Sequence, residues 1–445
     1  MHGLAKAFFF GGVSLKDEKE MGRKFDVAVR SHMPMIEDPE IRQYVADLLN
    51  RLVRSTSPQP FEFKSSVVLH NALNAFAVPG GYVFVFTGLI MNLDNEAELA
   101  GVLAHELAHV TQRHVASRLE RAQYLTLGAL LAAVAGIAIG GPAGAGIGIA
   151  ASGASQSAML NYSRLDESEA DNIGLQYLMA AGYPPAGMTG GFKVLRQKSW
   201  MSGINVPTYL STHPAIGDRI NNLDARIKAM SGSEKNGGFD NSRFKRVQTL
   251  LWGRYGDEKA ALQRFSGKDG LSLMGRGMVL SRLNRVQDAQ KSFDAALAAM
   301  PADPLIMREA GIFHYRKGDM AKAEQLLTAA IKRDRKDYMA SFFLARLLDD
   351  TNRQKQAAEH FADVLRHVPQ APDVHEAYAQ SLGNAGDQYR AYVHKAYAAI
   401  YANNRKQAEK YVAQARKLGE HAADKRPLQR LQSVYKERKE IWDKS

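Results

Sequence analysis

A period of 34 residues in the second half of the chain narrows its possible folds more than any other feature. Gly277, Gly311, Ala345 and Ala379 stand 34 apart, as do Ala289, Ala323 and Ala357, and Phe293, Leu327 and Phe361. Pro301 and Pro369 are two periods apart. Small residues at fixed points of a helical pattern mark places where paired helices approach closely, and a unit of this length is the tetratricopeptide signature. One such unit cannot bury its apolar face alone, so the pattern predicts an all-α solenoid of stacked units over residues 243–445. Residues 385–420 keep an Ala-rich spacing, including Asn404-Arg405-Lys406-Gln407-Ala408, but lose the strict register. A degenerate last repeat or a cap is expected there.

The stretch before the repeats follows different rules. SGSEKNGGFDNS, residues 231–242, is small, polar and Gly-rich and reads as a linker. Ahead of it, residues 1–230 form a separate domain in this reading. Ile41, Tyr44, Val45, Leu48, Leu49 and Leu52 follow helical spacing within residues 17–55, with Asp38-Pro39 as a start signal. Phe61-Glu62-Phe63, Ser66 to Leu69, Ala75 to Val78 and Tyr82 to Phe86 are β-branched and aromatic runs, the last two joined by the turn Pro79-Gly80-Gly81. They predict a small antiparallel sheet that ends at Gly88. A long helix is expected from Asn95 to about Arg121, and a second from about Asp166 to Ala181, closed by Gly182 ahead of Pro184 and Pro185.

The first long helix carries His105-Glu106-Leu107-Ala108-His109. Residues four apart on a helix project from one face, so both imidazoles can reach one ion, with Glu106 beside them. A catalytic zinc takes three protein ligands and keeps one position open. The chain has no cysteine, which excludes thiolate ligands, disulfides and cysteine nucleophiles, so the third ligand must be His or carboxylate. Asp166-Glu167-Ser168-Glu169-Ala170-Asp171 offers the best candidate. Glu167 and Asp171 share a helix face, so Glu167 can bind metal while Asp171 accepts the second N–H of a ligating histidine. Glu169 turns about 160° away from that face and is the weaker candidate. In this arrangement Glu106 is the general base.

Two regions bear on partners. The net charge of +12 belongs wholly to the second half, since residues 1–230 hold 20 Lys+Arg against 20 Asp+Glu. A basic solenoid points to acidic protein or anionic lipid surfaces, or is no more than a solvated helical surface, and without an aromatic stacking pattern it points away from nucleic acid. Residues 122–163 carry no charge at all, and Gly136, Gly140, Gly144 and Gly148 recur every four residues. The apolar run from Leu125 to Ile139 is 15 residues long, short of the roughly 20 that span a bilayer. Two readings stand: a plug over the cleft, and a segment that also touches a membrane surface. The N-terminal MHGLAKAFFFGG lacks a cleavage site and is not an intact signal peptide.

AFAVPGGYVFVFTGLI, AGVLAHELAHVTQRH, ESEADNIGLQYL and STHPAIGDRI, spread over most of residues 15–230, resemble the M48 family of zinc metallopeptidases. With repeats behind them, the chain resembles the periplasmic β-barrel assembly-enhancing protease group. The resemblance implies an α+β zincin-like metalloprotease domain of gluzincin type followed by the tetratricopeptide solenoid. It implies one zinc ion per chain held by His105, His109 and Glu167, with Glu106 as base. It further implies His213 of the Thr-His-Pro stretch as a fourth, self-inhibitory zinc ligand, and Arg219 facing the cleft, either steadying the oxyanion or salt-bridged to Asp218 or Asp224. Asn74, Ala75, Phe76, Ala77 and Val78 would form the edge on which extended substrate lies. The implied task is quality control of misassembled outer-membrane proteins in the periplasm, with the repeats docking the assembly machinery. A repeat-based chaperone with a mostly latched site, and a purely structural zinc site, are the competing readings.

Overall fold

The computed structural model describes residues 14–121, 162–201, 209, 212–230, 232 and 239–443. The chain divides into two compact units, Met1–Ile36 with Ile41–Gln248, and Glu37–Glu40 with Thr249–Ser445. Most of the uncharged segment, residues 122–161, lies outside the described residues, as do residues 231 and 233–238 of the expected linker. No helix among the described residues is long and apolar enough to cross a membrane.

The first unit is built around a three-stranded sheet. Helix α1 (Leu15–His32) starts at a reciprocal cap in which Ser14 Oγ accepts from Asp17 N and the Asp17 carboxylate accepts from Ser14 N. Helix α2 (Pro39–Val53) begins at the Asp-Pro signal. Strands β1 (Lys64–Val68), β2 (Ala75–Val78) and β3 (Tyr82–Phe86) lie in the order β1-β3-β2. The β2–β3 hairpin is antiparallel, as expected, with Gly80 and Gly81 at φ +82° and +86° in its turn. Such angles are open to glycine at no steric cost. The sheet as a whole is mixed, however, because β1 pairs parallel to β3. The Val83–Phe86 run is buried, which suits β3 to the central place, and inserting it between the other two reverses the expected direction of the β1 pairing. Phe61 to Phe63 lie ahead of β1, and Gly88 falls within a short helix α3 (Thr87–Asn92) rather than at the strand end.

The faces of the sheet follow the two-residue alternation of a strand. Phe76, Val78, Phe84 and Phe86 pack with Phe25 and Val29 of α1. Helix α4 (Glu96–Thr111) packs against β2 and carries the His-Glu motif. Its N-cap Asn95 accepts from Glu98 N, and every residue from Glu96 to Val110 is buried. The expected single helix to Arg121 is broken: α4 stops at Thr111 and α5 runs His114–Arg121, with Arg113 between them at φ +56°. Arg113 Nε donates to the buried Glu18 of α1 at 2.7 Å, which helps hold the break. Helices α6 (Arg164–Ala180), α7 (Ala186–Met201) and α8 (Ile216–Ala229) complete the unit, with α6 and α7 packed on α4. Helix α9 (Ser242–Tyr255) starts here too, since Gln248 Nε2 donates to Ile90 O and Leu93 O.

In the second unit, α10 (Glu258–Arg264) leads into helix pairs α11 (Gly270–Arg282) and α12 (Val286–Ala299), α13 (Pro304–Arg316) and α14 (Met320–Arg333), α15 (Tyr338–Asp350) and α16 (Gln354–His367), and α17 (Pro372–Asn384) and α18 (Gln388–Tyr401). The small positions do what the period implies. A Cβ at Gly277 would lie 3.0 Å from the Phe293 ring, and one at Gly311 would lie 2.9 Å from Leu327. The turns within pairs carry a further regularity: Asn284, Gly318, Asn352 and Gly386, again 34 apart, all have positive φ. Gly and Asn are the residues that visit this region most readily. Beyond them α19 (Arg405–Gly419) and α20 (Arg426–Trp442) pack on α18 and leave the register.

Candidate metal centre

Three helices of the first unit bring the motif residues together. On α4, His105, Glu106 and His109 are all at most 1% exposed. On α6, Ser163 and Asp166 form a reciprocal cap, which sets the register so that Glu167 and Asp171 turn inward while Leu165 stays 82% exposed. The approach of α6 to α4 depends on Gly174, where a Cβ would lie 2.9 Å from Ala104 O and 3.0 Å from His105 Cα. His213 stands just ahead of α8, its N–H bonded to Tyr209 O. Its ring stacks on Tyr209 at 4.2 Å and lies 5.0 Å from Tyr162.

Ligand atoms of His105, His109, Glu167 and His213 all lie within 4.8 Å of one another. The proton positions within this cluster can be worked out from its partners. His105 Nδ1 is 3.0 Å from Asp171 Oδ1, nearer than Arg219 Nη2 at 3.3 Å from both ring nitrogens. A carboxylate only accepts, so Nδ1 carries the hydrogen. Burial pushes His105 down to about 4 and His109 well below its usual value, so both are neutral. The Nε2 of His105 is therefore an acceptor, with Arg219 Nη2 and His213 Nδ1 each 3.3 Å away.

His109 reaches the same state by a longer route. Its Nδ1 is 2.9 Å from His114 Nδ1, and His114 Nε2 is 3.2 Å from Glu169 Oε2. In the neutral tautomer of His114 whose Nε2–H donates to Glu169, His114 Nδ1 is left to accept from His109 Nδ1–H. His109 Nε2 is then an acceptor as well, and it lies 3.0 Å from His105 Nε2. These two nitrogens and the Glu167 carboxylate, 3.4 and 3.7 Å away, converge on one point beside His213 Nδ1, with the Arg219 guanidinium at its edge. His, His and Glu with a histidine alongside is a donor set that fits zinc.

The surrounding groups hold this set in place. Burial alone would raise Asp171, but hydrogen bonds from Arg219 and His105 more than offset it and keep the carboxyl ionised. Arg219 donates through Nε and Nη2 to the two Asp171 oxygens at 2.8 and 2.6 Å and also pairs with Glu167. Its guanidinium lies 4.7 Å over the Phe192 ring. Neither salt-bridge partner expected from the sequence is used, and Asp224 instead meets Lys193. Arg219 is thus engaged by two carboxylates rather than free over the cleft. Glu106 differs from its neighbours: burial pushes it up to about 7, and its Oε1 has no hydrogen-bond partner, with His213 Nε2 at 3.5 Å.

Of the expected substrate edge, β2 lies on the outside of the sheet and pairs with β3 alone among the described residues. Ala75, Ala77 and Val78 are buried, and Phe76 belongs to the aromatic cluster with Phe25, Phe84 and Phe86. Asn74 is 1% exposed and its Nδ2 lacks a hydrogen-bond partner among the described residues. Sequence reasoning missed His114, Tyr162 and Tyr209. In an unbroken helix His114 would sit about 140° around from His109, and only the left-handed residue at 113 brings it back.

Residues 36–227 match peptidase family M48, and residues 274–338 and 314–381 match tetratricopeptide repeats. A beta-barrel assembly-enhancing protease of Yersinia pestis is 36% identical over 224 residues, covering 49% of this chain and 45% of that protein. The protein of the same name from Escherichia coli is 31% identical over 313 residues, covering 65% of this chain and 61% of that one. A mitochondrial metalloendopeptidase of Schizosaccharomyces pombe is 29% identical over 226 residues, covering 48% of this chain and 62% of that one. The chain spans about half of the Yersinia protein and three fifths of the other two.

Proposed function

We propose that this chain, an M48 peptidase domain followed by tetratricopeptide repeats, is a zinc-dependent endopeptidase. The observation that carries the reading is the convergence of ligand atoms of His105, His109, Glu167 and His213 within 4.8 Å of one another, with the Nε2 atoms of His105 and His109 3.0 Å apart. His105, His109 and Glu167 would hold the ion. Zinc bound there would polarise water and the peptide carbonyl.

Glu106, set to about 7 by burial, takes a proton from the attacking water and returns it to the leaving amine. Asp171 fixes the His105 tautomer, and the His114–Glu169 relay does the same for His109. Arg219 clamps Asp171 and Glu167, which supports a positioning role over contact with the oxyanion. The open edge of β2, Asn74 to Val78, receives extended substrate by backbone pairing, which tolerates many sequences. His213, stacked on Tyr209 and 3.5 Å from Glu106, acts as a fourth ligand that keeps the site closed until its loop moves.

The name beta-barrel assembly-enhancing protease carried by two of the relatives supports a wider reading, in which the chain acts on misassembled outer-membrane proteins and its repeats dock assembly partners, a task we assign to the periplasm. Peripheral membrane contact through residues 122–163 belongs to the same reading. A scaffold with a mostly latched protease is favoured by one observation, the close fit of His213 over Glu106.

Three measurements test the proposal. Purified protein should carry one zinc per chain by elemental analysis and lose it in Glu167→Ala. Glu106→Gln should keep the zinc and lose casein hydrolysis by about a hundredfold or more. His213→Ala should keep the zinc and cleave casein faster than the parent. Zinc-free parent protein, or a Glu106→Gln variant as active as the parent, would overturn the hydrolase reading.

A further inference from the structure

A second cluster of buried histidines lies in the repeats. His375 of α17 and His394 of α18 meet through their Nδ1 atoms at 2.8 Å, and His375 Nε2 is 3.0 Å from Pro369 O. They line a cavity of about 510 Å³ together with Tyr397, Tyr401, Val434 and Arg430, a size within the usual range for ligand sites.

The same proton logic fixes what this cavity offers. The Pro369 carbonyl only accepts, so His375 Nε2 carries the hydrogen and His375 Nδ1 is an acceptor. His394 must then donate from Nδ1, which leaves its Nε2 as a lone pair that no group among the described residues occupies. Tyr397 and Tyr401 stack at 5.9 Å with 8° between their planes, and His375 lies 5.0 Å from Tyr397, giving an aromatic wall. Arg430 is exposed and forms no ion pair among the described residues. The neighbouring Asp424 is already held by Arg426 through both oxygens.

We propose that this cavity binds a peptide segment presenting a tyrosine or tryptophan side chain next to a carboxylate. The aromatic wall takes the ring, His394 Nε2 accepts from its O–H or N–H, and Arg430 pairs with the carboxylate. A lysine would also supply a donor, but Arg430 repels it. The tyrosine hydroxyls of the wall can donate or accept, so His394 alone fixes the direction of the bond. The carboxylate can come from a chain end or from an acidic side chain.

The test uses the full chain and acetylated tetrapeptides, followed by ligand-detected NMR, which also reports whether each peptide stays intact. The probes are Ac-Gly-Ala-Ser-Tyr with a free C-terminus, its amide, its phenylalanine counterpart, and an amide in which aspartate follows the tyrosine. The free-acid tyrosine peptide or the aspartate peptide should bind about tenfold more tightly than the phenylalanine peptide and the plain amide, the loss expected for one unmet hydrogen bond or ion pair. Whichever of the two binds better identifies the source of the carboxylate. Arg430→Glu, at an exposed position, should remove the preference for acid over amide. His394→Phe should remove the preference for tyrosine over phenylalanine. Equal binding of all four peptides, no binding, or parent-like selectivity in Arg430→Glu would each overturn the proposal.

Discussion

Replacing Gly174 by alanine tests how far the metal centre depends on helix spacing. The added Cβ would lie 2.9 Å from Ala104 O and 3.0 Å from His105 Cα, whereas ordinary contact begins at 3.4 Å. The gap of about 0.5 Å involves backbone on both sides, so no side chain can swing aside, and α6 must move away from α4. Glu167 and Asp171 ride on α6, seven and three residues before Gly174. Metal–ligand distances tolerate about 0.2 Å, so a displacement of this size cannot be absorbed at the ion without loss. Overpacking of this kind costs about 1–3 kcal/mol, and where that cost falls on the metal-bound geometry zinc binding weakens by about fivefold to 150-fold. Competition against a chromogenic chelator measures the affinity, and circular dichroism checks that the fold survives. If Gly174→Ala held zinc as tightly as the parent, α6 would not be set by this contact and the spacing argument would be refuted.

Other predictions follow from the same geometry. His114→Ala removes the acceptor that fixes the His109 tautomer, so zinc affinity should fall about tenfold to a hundredfold. Glu169→Gln should fall less, and unchanged affinity in both variants would remove the relay from the account. Burial holds His375 down to about 4 and His394 to about 3, against about 6.5 in an unfolded chain. The contribution of this pair to the stability of the repeats is therefore complete above pH about 6.5 and declines as pH falls towards 4. Urea midpoints across that window should drop in the parent and less steeply in His394→Phe; a flat parent profile contradicts the burial argument. Phe293→Ala, at a ring 1% exposed against Gly277 and 5.1 Å from Phe313, should destabilise the repeats by about 3–5 kcal/mol in chemical unfolding. A change below about 1 kcal/mol would mean that this ring is not part of the packed interface between helices.

Much of this arrangement was legible in local sequence, because local rules decide it. The repeat period located the close contacts at Gly277 and Gly311, and the i, i+4 spacings placed His105 with His109 and Glu167 with Asp171. Asp171 Oδ1 lies 3.0 Å from His105 Nδ1, where the sequence reading expected a carboxylate to accept from that ring. What escaped the sequence were long-range choices. Nothing near Lys64–Val68 says that β3 will insert beside it, so the parallel pairing with β1 could not be read. The helix break at Arg113 is held in part by Glu18, 95 residues earlier, and without that break His114 has no visible reason to meet His109. Arg219 found Asp171 and Glu167 instead of its sequence neighbours, because α8 delivers it to α6 in three dimensions only.

Helix α4 has no outward side, since it is enclosed from Glu96 to Val110. An ordinary enzyme can mount its reactive groups on a rim and leave the framework indifferent to their fate. Here the element proposed to grip zinc is also the spine, so removing such an ion would strand two imidazoles and the Glu167 carboxylate in a dry interior. A chelator should consequently act on this half of the molecule as a gentle denaturant, and its chemistry could not be retired without rebuilding the framework around it.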